Sequence, residues 1–269
     1  VLQMNWGGRG MRVAALHTSR TLCAEPLLLK RNYKQDIVYL YQFPRSKFAP
    51  NLSPFCLKLE SYLRTKNIKY EVCETFTKRS KNGLLPFIEL NGQHHADSGQ
   101  IIEHLEKRFN CQDSLTAEEQ GVARALNRML DGSTLHAIQL DRVVKNGPRF
   151  LSREVSGMPL PGFITSYLGN RMAKEVSKRM RKGLGKLTDA EVKDVLRKDL
   201  QAIDSLIGQK RFLFGDTPTA TDCSVFGHIA SCLFLPYRQA LSDMVEDDFH
   251  SLQGLIKRFR AHYYPEWKV

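Results

Sequence analysis

The sequence predicts an α/β N-terminal domain with a small mixed sheet, followed by an all-α C-terminal domain. Three observations carry this. The 269 residues exceed what one small core needs and suit two domains without a long linker. Strand-like runs of β-branched and aromatic residues occur only between Asp36 and Ala96. Beyond Cys111, apolar residues recur at helical spacing behind capping boxes.

Residues 1–35 hold Gly7, Gly8, Gly10, Arg9, Arg12 and Arg20 without periodicity, and are expected to be a disordered tail. A basic, acid-poor start also fits a mitochondrial targeting segment, so targeting stays open. Order is expected from Asp36, with an α/β domain over 36–110. Ile37 to Phe43 reads as a buried strand ending at Pro44. After a polar loop with Pro50 and Asn51, Ser53 and Pro54 open a helix, as N-cap and first helical residue. Phe55, Leu57, Leu59, Tyr62 and Leu63 supply its apolar side. A second strand covers 69–75, and the basic stretch 77–83 reads as a loop or frayed short helix. Pro86 to Ala96 is a hairpin about Asn91-Gly92, a strong turn signal. Asp97-Ser98 then precede a helix with Ile101, Ile102, Leu105 and Phe109. One crossover followed by a hairpin makes a mixed sheet.

The helical domain is expected over 115–269. Thr116 with Glu119 and Thr188 with Glu191 have capping-box spacing, and Thr219 with Asp222 opens a further helix. The proline- and glycine-rich stretch 146–162 reads as a loop. A last helix carries Leu252, Leu255, Ile256 and Phe259 before Pro265.

Composition narrows function. Forty basic residues against 28 acidic ones give +12, but no aromatic–basic interleaving accompanies the charge, so nucleic acid is not expected as a partner. Part of it falls in the first 36 residues and another part on Arg171, Lys174, Lys178, Arg179, Arg181 and Lys182, beside the apolar series Leu168, Met172, Val176 and Met180. That pattern fits a helix with one buried stripe and a solvated face; an anionic partner, lipid headgroups or a protein, is the alternative. No run approaches the roughly 20 apolar residues of a membrane span. Six cysteines without a CxxC pair or metal-like spacing to histidine predict no metal site and reduced thiols. His94, His95, His104 and His136 share no ligand spacing either, and the first two are expected to be exposed. A cytoplasmic location fits best; membrane-associated, mitochondrial and lysosomal ones stay open.

Leu85-Pro86 before a hairpin, Asp97-Ser98 before a helix and the Thr219–Asp222 box resemble the glutathione-transferase superfamily. Tyr39 to Arg45, Asn51 to Glu60, Leu85 to Gly92, Ala96 to Ser98 and Tyr264 to Trp267 resemble, more narrowly, the failed axon connections family, which includes nematode cadmium-responsive proteins and is related to the metaxins. The resemblance covers Asp36 to Trp267. It implies a thioredoxin-like first domain, glutathione as cosubstrate with no resident cofactor, and a homodimer. It places Ser53, and more weakly Cys56, at the glutathione sulfur, where a helix N-terminus favours a thiolate. Leu85 and a cis Pro86 would offer a backbone pair to the cysteinyl part. Ser98 would meet the γ-glutamyl carboxylate and Asp97 its ammonium. The insertion 47–52, placed to move or cover Ser53, and the stretch 77–83, a poor replacement for the helix that helps hold glutathione, depart from the pattern. Two functions follow: conjugation to electrophiles in stress or metal detoxification, or a non-catalytic interaction protein on the same fold.

Overall fold

In a computed structural model describing residues 28–268, four strands form one sheet: β1 (Val38–Gln42), β2 (Tyr70–Glu74), β3 (Phe87–Leu90) and β4 (Gln93–Ala96). Their order is β2-β1-β3-β4, with β1 parallel to β2 and the other pairs antiparallel. Helix α1 (Pro54–Thr65) makes the crossover between β1 and β2 and α2 (Ser98–Phe109) follows β4. Asn91 and Gly92 take φ of 50° and 77°, the two left-handed residues a tight hairpin turn requires. Residues 77–83 form no helix.

Strand alternation divides the sheet's side chains. Val38, Leu40, Ile88 and Leu90 join α1 and α2 in the main core. Tyr39, Tyr41 and Phe87 form a second cluster with Leu85 and Cys56. On this second side the tail expectation needs correction, because residues 28–35 dock rather than trail. The Leu29 and Lys30 amides donate to the buried Glu89 carboxylate at 2.7 and 2.8 Å, Tyr41 Oη donates to it at 3.0 Å, and the Lys34 amide donates to Tyr39 Oη at 2.9 Å. A buried carboxylate needs such donors, and this segment supplies two. The rest of the expected tail, 1–27, lies outside the described residues.

The helical half begins with α3 (Ala117–Met129), which runs through a π-helical turn (Leu130–Thr134) into α4 (Leu135–Gln139) and a second π-helical turn (Leu140–Val144). Next come α5 (Gly147–Phe150), α6 (Arg153–Ser156), α7 (Gly162–Gly183), α8 (Asp189–Ile207), α9 (Ala220–Leu233), α10 (Ala240–Asp247) and α11 (His250–Tyr263). All three capping boxes form, at Thr116, Thr188 and Thr219. The stretch read as a loop over 146–162 instead holds α5 and α6, the second capped by Ser152 on the Val155 amide; helices this short leave little periodicity to read. Helix α9 is buried along most of its length and lies against α1, where Gly227 faces the Pro54 carbonyl and the Lys58 backbone. The α1–α9 pair is thus the main seam between the two halves. Among the described residues, no helix is long and apolar enough to cross a membrane.

A buried ionic network anchors α1. Glu60, wholly buried, pairs with Arg45 at 2.7 Å and Arg64 at 2.9 Å, and accepts from Gln42 Nε2 at 2.7 Å and Tyr70 Oη at 3.1 Å. Arg64 reaches on to Glu266 at 2.7 Å and stacks over the Tyr264 ring, tying the C-terminal end to the first domain.

Candidate functional site

An interdomain cavity of about 350 Å³ brings Leu85, Pro86, Asp97 and Ser98 onto one wall. The Leu85–Pro86 bond is cis, and among the described residues neither the Leu85 N–H nor its C=O has a hydrogen-bond partner. Asp97 caps α2, its Oδ1 accepting from the Gly99 and Gln100 amides at 3.0 and 3.1 Å. Its backbone sits at φ 74° and ψ 118°, a strained region for a residue with a side chain. Ser98, the first residue of α2, is 7% exposed, and among the described residues its hydroxyl has no partner.

Ser53 and Cys56 do not line this cavity. Ser53 is the N-cap of α1, its Oγ accepting from the Cys56 amide at 3.4 Å. The inserted loop is locked behind it: Asn51 Oδ1 accepts from the Ser53 amide at 2.9 Å and Asn51 Nδ2 donates to the Phe43 carbonyl at 2.7 Å. Ser53 is also 7% exposed and lines a separate crevice of about 60 Å³ with Phe43, Leu52, Phe150 and Met158. The expectation for Cys56 needs correction. Its thiol is wholly buried, and burial pushes its pKa up to about 12 despite the helix N-terminus and the Ser53 hydroxyl, so it is no thiolate.

The other cavity walls escaped sequence reasoning. Helix α1 contributes Phe55 and Lys58, α3 contributes Arg124, Asn127 and Arg128, the following π-helical turn Asp131, and α9 Ser224. Lys58 is 7% exposed and makes no hydrogen bond or ion pair among the described residues. Burial lowers its pKa, opposed by the charges of Asp131 and Asp97. Buried His228 donates from Nδ1 to the Ser224 carbonyl at 2.8 Å, and its Nε2 lies 3.4 Å from Asp131. Burial raises the Asp131 pKa, but the adjoining His228 ring and the neighbouring Lys58 and Arg128 cations leave it lowered overall. Lys58, Arg124 and Arg128 face Asp97, Glu103, Glu106 and Asp131 across the lining, a mixed-charge surface suited to a zwitterion. Four-residue spacing in α3 and α9 was the available signal, but the partners come from distant segments.

His94 and His95 are half-buried rather than exposed. His94 packs on Phe87, and His95 stacks on His104 with ring centroids 3.9 Å apart. Burial and the His104 charge lower the His95 pKa to about 4. Among the described residues, no three His, Cys, Asp or Glu side chains are grouped to hold a metal ion.

Fold and site together define a class. Residues 54–148 match the glutathione S-transferase N-terminal domain and 196–259 its C-terminal domain. A glutathione transferase of Phanerochaete chrysosporium, GSTFuA3, superposes with a TM-score of 0.60 at 16% identity, covering 85% of this chain and 98% of its own. The glutathione complex of a Ceriporiopsis subvermispora transferase gives 0.59 at 16%, covering 86% and 98%. The chain belongs to the glutathione-transferase superfamily.

Within that superfamily it is a metaxin-like member. It is 33% identical to Failed axon connections of Drosophila melanogaster over 88% of this chain and 60% of that protein, so it spans less than two thirds of that relative's length. Human Metaxin-2 is 25% identical over 94% of this chain and 96% of its own. The isoprene-epoxide glutathione S-transferase of a Rhodococcus strain is 22% identical over 84% and 99%.

Proposed function

We propose that the chain binds glutathione in the interdomain cavity. The observation that carries this is the single wall on which the unpaired Leu85 N–H and C=O stand with the unpaired Ser98 hydroxyl at the start of α2. An extended peptide needs a backbone donor–acceptor pair, and its terminal carboxylate is favoured at a helix N-terminus. Leu85 meets the cysteinyl part and Ser98 the γ-glutamyl carboxylate. Asp97 caps through Oδ1 and keeps Oδ2 for the ammonium. The lining offers Lys58, Arg124 and Arg128 to the ligand's two carboxylates and Asp97 to its ammonium.

Conjugation to an electrophile would be a further step in this reading, and it needs Ser53 at the glutathione sulfur. Ser53 is buried in the neighbouring crevice beside Phe150 and Met158. That shielding favours, as the second reading, an interaction protein on a glutathione-binding fold, with a homodimer or another protein as partner.

Calorimetric titration of glutathione into the wild type and into Ser98→Ala and Ser53→Ala tests both. Loss of a hydrogen bond to a charged group is worth about 1.5–3 kcal/mol, so Ser98→Ala is expected to weaken binding tenfold or more. Ser53→Ala is expected to leave it unchanged. Absence of heat at millimolar glutathione refutes binding; a conjugating activity abolished by Ser53→Ala refutes the second reading.

A further inference from the structure

The face of α7 turned from the core combines two features that a solvated helix does not need together. Phe163 and Tyr167 are 76% and 66% exposed, the most exposed large apolar side chains among the described residues. Placing such rings in water forgoes a large burial energy, and contiguous exposed apolar groups mark interaction sites. One turn further on, the same face becomes basic. Phe163, Tyr167, Arg171, Lys174, Lys178 and Arg181 recur at steps of four or three residues and fall on one side of the helix. Thr165, Gly169, Met172, Val176 and Met180 occupy the other side and are buried. The helix carries six basic residues and one acid, Glu175, which pairs with Lys178 at 3.0 Å.

We propose that α7 is a docking surface for an anionic lipid membrane, with Phe163 and Tyr167 entering the headgroup layer and Arg171, Lys174, Lys178 and Arg181 contacting lipid phosphates. The geometry suits a plane: a 22-residue helix is about 33 Å long, and its aromatic and basic residues share one face along that length. Amphipathic rings favour the membrane–water interface, and basic residues are drawn to the negative leaflet surface. A protein partner fits less well, because a stable interface buries roughly 800 Å² a side around an apolar centre, and two rings at one end do not make that centre. The surface does not depend on the glutathione cavity.

The test is co-sedimentation of the full chain with vesicles of phosphatidylcholine alone and of phosphatidylcholine mixed with phosphatidylserine. Binding to the mixed vesicles only, weakened by salt, is expected. Each basic residue near such a surface is worth about fivefold in partitioning, so Lys174→Gln with Lys178→Gln is expected to weaken binding roughly thirtyfold. Phe163→Ala with Tyr167→Ala is expected to weaken it about tenfold or more. Both pairs change exposed side chains, and circular dichroism checks that the fold is kept. In a Phe163→Trp variant, tryptophan emission is expected to shift to the blue on the mixed vesicles. No sedimentation with them, or binding by both double variants equal to the wild type's, overturns the proposal and leaves an acidic protein as the partner to seek.

Discussion

Replacing Gly227 by Ala tests how the two domains meet. A Cβ there would stand 2.6 Å from the Pro54 carbonyl oxygen, 2.7 Å from the Lys58 nitrogen and 3.0 Å from the Lys58 Cα. Ordinary contact begins at 3.4 Å, so α1 and α9 must part by about 0.8 Å, the difference between 3.4 and 2.6. Every obstacle is backbone, so no rotamer change relieves it. Overpacking of this kind costs about 1–3 kcal/mol, and the upper end applies. Alanine's better helix propensity returns up to about 1 kcal/mol. A net loss of about 2 kcal/mol lowers the Tm of a protein this size by roughly 4–8 °C. Glutathione binding should weaken with it, because Phe55 and Lys58 enter the cavity from α1 and Ser224 from α9. Thermal melts followed by circular dichroism, paired with calorimetric titration, read both effects. A Tm equal to or above the wild type's would refute the close approach, since an unhindered glycine-to-alanine change in a helix stabilises.

Two further perturbations probe buried charge. Glu60→Gln removes the buried carboxylate shared by Arg45 and Arg64; Arg64 keeps Glu266 and Arg45 is partly exposed, so the cost is that of lost charge-assisted hydrogen bonds, about 1.5–3 kcal/mol in urea denaturation; a midpoint unchanged from wild type contradicts the network. The His95–His104 stack predicts acid sensitivity: with the folded His95 pKa near 4 against 6.5 for the free side chain, the unfolded chain binds more protons between these values. Stability from this source is complete above 6.5 and falls as pH drops toward 4, and His95→Phe should flatten that part of the stability–pH curve.

Features governed by a few adjacent residues were legible. The three Thr-headed capping boxes, the Ser53-Pro54 helix start and the Asn91-Gly92 turn each depend on groups within four positions, and local chemistry specifies them. What needed distant partners was not. Glu89 reads as one more strand residue until residues 28–35 arrive from some 60 positions away. Ser53 reads as an accessible helix start until Phe150 and Met158 close over its crevice. Lys58 and His228 look like ordinary members of helical patterns, and only the contact of α1 with α9 puts them at one site. The resemblance placed Leu85, Pro86, Asp97 and Ser98 together because their motifs flank one hairpin, whose geometry is short-range.

The Asp97 backbone argues that this wall serves more than the fold. Five other helices are capped by Ser or Thr side chains, Ser53, Thr116, Ser152, Thr188 and Thr219, and all take ordinary negative φ, from −56° to −106°. Capping therefore does not require the φ of 74° found at Asp97. That conformation costs about 1–3 kcal/mol, and strain of this size persists where surrounding structure holds it for a purpose. Its consequence is positional: Asp97 joins β4 to α2, and its turn sets Ser98 in the cavity wall beside Leu85. Ser53 shows no comparable strain, its backbone lying in the extended region and its hydroxyl occupied with the Cys56 amide. Strain kept at Asp97, with none at Ser53, is the pattern expected if the proposed site holds a peptide ligand more than it activates one.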